Sequence, residues 1–236
     1  MIQSLYTAAS GMSVQQKKID TIANNIANLN TVGYKQSRVD FKDAIYQTMI
    51  NPDAASQGNN LQQGHGALIS SIKKDFTETG IEETDNALDF SIIGDGFFAV
   101  DSENEILYTR DGSFRVSVEG QEKYLVADTG EYVLDNNLNR IVITDNESNL
   151  MPGVFDFPNQ SGLYATGNNK YRVSESSGGA ELIQNPEVKQ YYLETSNVDI
   201  TSQLTQMIRA QRAYQAAAKA ISTADEMEGI ANNIRN

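Results

Sequence analysis

The 236-residue chain carries a formal net charge of −13, with 39% hydrophobic and 21% charged residues, enough for one large domain or two smaller ones. So acidic a chain lacks the clustered Lys and Arg that displace counterions from nucleic acid, and without cysteine it has no disulfide, thiolate zinc site or cysteine nucleophile. No run reaches the ~18 apolar residues of a membrane span, and Thr7, Ser10, Gly11 and Ser13 interrupt anything like a cleavable signal, so any passage across a membrane is expected to use a non-cleaving route.

Residues 4–29 are predicted to form one helix, with Ser4 as its N-cap and Asn28, Asn30 and Gly33 marking its end. Leu5, Met12, Ile19 and Ile26 recur every seven residues, and Ala8, Gln15, Ile22 and Leu29 follow each of them by three. That is an a/d heptad seam. Burying those few apolar side chains does not offset the entropy of ordering so long a helix. The isolated terminus is therefore expected to fold only on a partner helix.

In residues 31–69, Val39, Phe41, Ile45, Tyr46 and Met49 form a short amphipathic segment that Asn51-Pro52 breaks. Ser56 to Gly66, rich in Gln, Asn and Gly, reads as an exposed loop or extended arm. From about 68 to 190 the period becomes that of strands. Leu88-Asp-Phe90-Ser-Ile92 alternates, Gly94-Asp-Gly96 turns into Phe97-Phe98-Ala-Val100, and further short apolar runs follow to Ile141-Val-Ile143. Short strands divided by Asp, Asn and Gly predict a central all-β module.

Helical signals return at Ser196-Asn197-Val-Asp199, where Ser196 or Asn197 is expected to cap a helix carrying Asp199 in its first turn. Its apolar stripe runs through Ile200, Leu204, Met207, Tyr214, Ala218 and Ile221, then precesses toward Ala224, Met227, Ile230 and Ile234. The Ala-rich run from Ala210 to Ala220 favours helix and permits close helix approach. The two end helices are suited either to each other, as an intramolecular stalk, or to sister molecules; the pattern leaves both open.

Motifs for chemistry fail one by one. His65 is the only histidine, set between Gly64 and Gly66, and reads as a solvated loop residue. Ser70 with Lys73 and Ser71 with Lys74 match Ser-x-x-Lys, a pattern too short to stand alone. Asp135, Asn137 and Asn139 imitate a calcium loop, but Arg140 replaces the needed Gly and Asn146 the bidentate Glu. Gly94-x-Gly96 lies between strands and reads as a β-turn, and the acidic stretch from Asp75 to Asp89 as a hydrated face. No catalytic, cofactor-binding or metal-binding residue is assigned.

Three segments carry a resemblance. Met1-Ile-Gln-Ser-Leu-Tyr6 to Met12, Asp20-Thr-Ile-Ala-Asn-Asn-Ile-Ala-Asn28 and Asn30-Thr-Val-Gly-Tyr-Lys35 resemble the N-terminal signature of bacterial flagellar rod and hook proteins. Glu194-Thr-Ser-Asn-Val-Asp199, Gln211-Arg-Ala-Tyr214 and Ser222 to Met227 resemble the matching C-terminal signature, and Gly94-Asp-Gly-Phe-Phe98 with Tyr108 to Phe114 the family's β-domain motifs. Within the family, Phe41 to Met49 and Ala231 to Arg235 look most like distal rod members, a proximal rod or other paralogue remaining open. The resemblance implies an α+β fold, with terminal helices of many copies forming a coiled-coil layer around a channel and a central all-β domain outside. It implies segments 1–30 (helical assembly), 31–67 (linker or arm), 68–190 (β domain) and 191–236 (helical assembly). It further implies a homopolymer that transmits torque in the basal body, partners among rod and hook proteins and the flagellar type III export apparatus, and no enzyme activity, cofactor or small-molecule substrate. The expected assembly interface is Leu5, Met12, Ile19, Ile22, Ile26, Leu29, Ile200, Leu204, Met207, Tyr214 and Ile221, with stiffness arising in the 31–69 segment and the β domain.

Overall fold

Two long helices occupy the two ends of the chain, with antiparallel strands between them. The computed structural model describes residues 2–49, 61–102, 105–143 and 150–235, and within these the fold is α+β. Contacts divide the chain into two compact units, one made of Met1–Ala27, Ser37–Lys73 and Asp199–Asn236, the other of Asn28–Gln36 and Lys74–Val198.

In the first unit, helix α1 (Ile2–Ala27) packs against helix α2 (Ile200–Arg235). Ser4 lies inside the first turn of α1 rather than at its cap. Asp199, not Ser196 or Asn197, caps α2: its carboxylate accepts from the amides of Thr201 at 3.0 Å and Ser202 at 3.2 Å. The carboxylate stands just outside the helix, against the positive end of its dipole.

The 31–67 stretch, expected to run as an arm, is largely paired strand where it is described. Strands β1 (Ser37–Asp43), β2 (Tyr46–Met49), β3 (Leu61–Gly64) and β4 (Ala67–Lys74) form two two-stranded pieces, β1 with β4 and β2 with β3. They make a ribbon; the Asn51-Pro52 break and Ser56 to Asn60 lie outside the described residues.

The second unit holds β5 (Ile81–Glu83), β6 (Phe90–Ile93), β7 (Phe97–Ser102), β8 (Glu105–Thr109), β9 (Arg115–Glu119), β10 (Glu122–Val126), β11 (Tyr132–Val133), β12 (Val154–Asp156), β13 (Tyr164–Gly167), β14 (Lys170–Arg172), β15 (Glu181–Leu182), β16 (Glu187–Gln190) and β17 (Tyr192–Glu194). Its main sheet runs β13-β14-β8-β7-β11-β10-β9, with β12 pairing both β7 and β15; β16 pairs β6, and β17 pairs β5. Strand β7 is the centre. Its period-two side chains split between two cores, Phe98 and Val100 joining Phe90, Phe114 and Leu125, while Phe97 and Ala99 join Phe76, Tyr108, Phe155 and Tyr171. Edge-on rings fill the second core, as where Tyr108 meets Phe157 at 4.8 Å. The calcium-loop imitation is a turn: Asp135 Oδ1 accepts from the amides of Asn137 and Asn139, while Asn146 lies outside the described residues.

Candidate functional site

Inside the first unit the inward face of α2 carries Gln203, Met207, Ala210, Tyr214, Ala217, Ile221 and Ala224. Their spacing alternates four and three, as coiled-coil packing requires. Gln203, Ala210 and Ala224 are buried, the alanines allowing close approach, and Met207, Tyr214 and Ile221 are half-buried at its flanks. On α1, Val14, Thr21, Ile22 and Asn25 are buried, while Leu5, Met12, Ile19 and Ile26 are half-buried. Leu29 falls past the end of α1, in the second unit.

On α2 the face that packs within the chain is therefore offset from the stripe read in the sequence. Ile200 and Leu204, placed in one stripe with Met207, lie on an outward flank with Ile208, at 44%, 46% and 53% exposure. Asn25 and Gln203, close to opposite ends of their helices, bond to each other, so the helices run antiparallel. Helix α2 has 36 residues against 26 in α1, and its surplus turns carry exposed Met227, Ile230 and Ile234.

A second set of contacts lays the ribbon along α1. The Asn25 side chain accepts from the Ser37 amide and donates to its carbonyl, both at 2.9 Å, in the manner of a neighbouring strand. Further along, Lys18 lies over the Phe41 ring at 5.9 Å. A Cβ on Gly66 would fall 2.1 Å from Ser10 Oγ. His65 is an exposed loop residue, as expected, and it also bonds to its neighbours: Nδ1–H donates to the Ile45 carbonyl at 3.0 Å, and Nε2 accepts from the Gln3 amide at 3.1 Å. These contacts descend α1 from residue 25 to residue 3, about 33 Å at ~1.5 Å per residue.

In the second unit, residues from the N-terminal and C-terminal signature stretches meet. Asn197 accepts from the Gln36 amide at 2.6 Å, donates to the Asp75 carbonyl at 2.7 Å, and donates its own amide to the Tyr34 carbonyl at 3.3 Å. The Gly33 amide donates to Glu194 at 2.9 Å. Gly33 has φ +62°, and a Cβ there would lie 2.7 Å from the backbone of Arg110 and Asp111. The turn needs glycine both for its backbone angle and for this close approach.

Beneath that turn three charged groups are buried together. Lys35 Nζ lies 2.7 Å from Glu194 Oε1 and 2.7 Å from the Thr77 carbonyl. The Arg110 guanidinium stands 3.5 Å from Glu194 Oε2 and over the Phe97 ring at 5.2 Å. Burial pushes the Lys35 ammonium below its ordinary range, with Glu194 pulling the other way. Lys74, its Nζ 2.8 Å from the Lys35 carbonyl and 4.2 Å from the centre of the Tyr34 ring, is lowered by burial to about 8. Sequence reasoning missed Arg110, Asn197 and the pairing of Lys35 with Glu194. The only available signal was polar residues packed into both signature stretches.

Three family descriptions match this chain, one at each end and one between them. The model described as flagella basal body rod protein matches residues 5–35, flagellar hook protein FlgE/F/G D1 domain matches 91–151, and flagellar basal body rod FlgEFG protein C-terminal matches 189–234. The chain is 37% identical to a flagellar basal-body rod protein FlgG of Borreliella burgdorferi, across 100% of this chain and 99% of that one. It is 37% identical to that of Bacillus subtilis (96% and 97% covered) and 36% identical to that of Caulobacter vibrioides (100% of both).

Proposed function

This chain belongs to the flagellar basal-body rod protein family, and we propose that its copies polymerise through the outward flanks of their end helices into a distal-type rod. As a structural subunit of the flagellar rod it has mechanical work to do, and torque transmission fits that role.

One observation carries the polymer reading. After α1 and α2 have covered each other, Ile200, Leu204, Ile208, Met227, Ile230 and Ile234 stay exposed on α2. Full burial of such side chains is worth ~1.5–3 kcal/mol each, so covering six half-exposed ones contributes roughly 5–9 kcal/mol per subunit, an upper estimate. Sister helices supply that cover. Of the remaining expected interface residues, Leu5, Met12, Ile19, Ile26, Met207, Tyr214 and Ile221 flank the intramolecular seam, where a third helix would reach them, while Ile22 is buried in it and Leu29 lies past the end of α1.

Partners are other rod and hook proteins and the flagellar type III export apparatus, reached without a cleaved signal. The protein acts by assembly, with no substrate. The ribbon along α1 adds stiffness by bracing the helix over its length, and deleting residues 56–66 should soften or curve the polymer.

The reading is tested in a strain lacking its own rod protein. Leu204→Asp and Ile208→Asp should leave the urea midpoint of the purified chain unchanged and yield no rods in basal-body preparations. Ile19→Asp should also prevent rods, and Val14→Asp should lower the midpoint. Normal rods from Leu204→Asp and Ile208→Asp would overturn the outward-flank assignment.

A further inference from the structure

We infer that Lys35, Glu194, Arg110 and Asn197 form a locking joint that makes segments 28–36, 74–80 and 191–198 open and close as one. Twist carried by the helices then enters the β unit through all its chain crossings together. The inference rests on the rod reading above and names the residues that bear the load.

The chain passes between its two units four times, at 27/28, 36/37, 73/74 and 198/199. Force reaching the second unit along the chain arrives at those points. Separate loops would peel one after another, the weakest first. Here the segments beside the crossings share bonds instead. The Asp75 amide donates to the Gln36 carbonyl at 2.9 Å, and the Thr195 amide to Gly80 at 3.0 Å. Thr79 Oγ1 donates to the Thr195 carbonyl at 2.7 Å and to Glu194 Oε1 at 3.3 Å. Asn197 alone ties the last segment to both others.

Charge makes the set cooperative. Lys35 sits on the first segment, Glu194 on the last, and Arg110 on the turn after β8, all with side chains at most 3% exposed in their ion pairs. Each charge is balanced only by a group on another segment. The nitrogens of Arg110 make no hydrogen bond, and neither does Glu194 Oε2, so their mutual attraction is their compensation. Pulling one segment away leaves buried charge uncompensated, far costlier than breaking a surface contact.

Native-state hydrogen exchange on the full chain tests the lock. In the wild type the amides of Gly33, Gln36, Asp75, Thr195 and Asn197 should merge into a single opening as denaturant rises. In Glu194→Gln their protection should fall together by at least about tenfold, with Val100 and Leu125 unchanged. Loosening of Gly33 and Thr195 alone, or five separate openings in the wild type, would overturn the joint. Thr79→Val, which keeps every charge, gives a milder version should Glu194→Gln fail to fold. Rotation of tethered cells in viscous medium then reads the load. If the amides loosen together, rods assemble and rotation matches wild type, the load role is wrong while the rod reading stands. If the wild-type gene restores no rods to a rod-deficient strain, the rod reading itself falls.

Discussion

Asn25 and Gln203, 178 residues apart, hydrogen-bond at 3.2 Å inside the helix pair, and Asn25 simultaneously binds both backbone polar groups of Ser37. One side chain thus fixes α2, α1 and the start of the ribbon in register, as a buried Asn does in coiled coils. Asn25→Ala removes the side chain that binds the Ser37 amide and carbonyl and takes away one bond to Gln203. The expected loss is roughly 1–3 kcal/mol, read as a lower urea midpoint with faster exchange at Ser37. An unchanged midpoint would remove its register role.

Two glycines should respond with opposite signs. At Gly33, φ +62° and the Arg110 backbone at 2.7 Å make Gly33→Ala costly, by about 2–4 kcal/mol from strain plus overpacking. At Gly11, in the middle of α1, an added Cβ meets nothing within 4 Å. Gly11→Ala should stabilise the monomer by ~0.5–1 kcal/mol. Thermal melts of both variants compare them directly. If Gly11→Ala melts higher yet forms no rods, Gly11 is where a sister chain approaches.

Stability should rise with pH above about 8. Lys74 titrates near 8 in the folded chain and near its ordinary 10.5 once unfolded, so between those values the unfolded chain holds more protons. Lys35 is displaced the same way. Buried Tyr171, pushed above its ordinary 10.0, acts oppositely: above about 10 the unfolded chain sheds a proton that the folded chain keeps. The thermal midpoint should rise from about pH 8 and peak near pH 10, and Lys74→Met should flatten the rise. Identical profiles for wild type and Lys74→Met would refute the assignment.

Asp199 and Asn197, two residues apart, should separate cleanly. Asp199→Ala removes the α2 cap and should cost about 0.5–2 kcal/mol, with fraying at Thr201 and Ser202. Asn197→Ala should leave those amides protected and loosen Gln36. Exchange at the three amides distinguishes the two roles.

The helices were legible because 3.6-residue periodicity accumulates over many residues, and the core strands because Phe97 to Val100 and Leu125-Val126 are apolar runs bounded by turn residues. Which face of α2 packs within the chain was not legible. Small residues such as Ala210 and Ala224 define the close-packed face, and hydrophobicity alone ranks Leu204 above them. The ribbon was hidden by its Gln-rich composition, since its pairing depends on α1 as a platform. The charged joint could not be read at all: Lys35 and Glu194 are 159 residues apart, and only folding brings them together.

The ribbon also sets an order of events. Asn25 meets Ser37 after closing a loop of 12 residues, but meets Gln203 only after closing one of 178, an added entropic cost of roughly 2 kcal/mol. A nascent chain leaves its ribosome N-terminus first, so α1 meets the ribbon while α2 is still untranslated. The earliest helix is thereby braced along Gln3, Ser10, Lys18 and Asn25 before its helical partner exists.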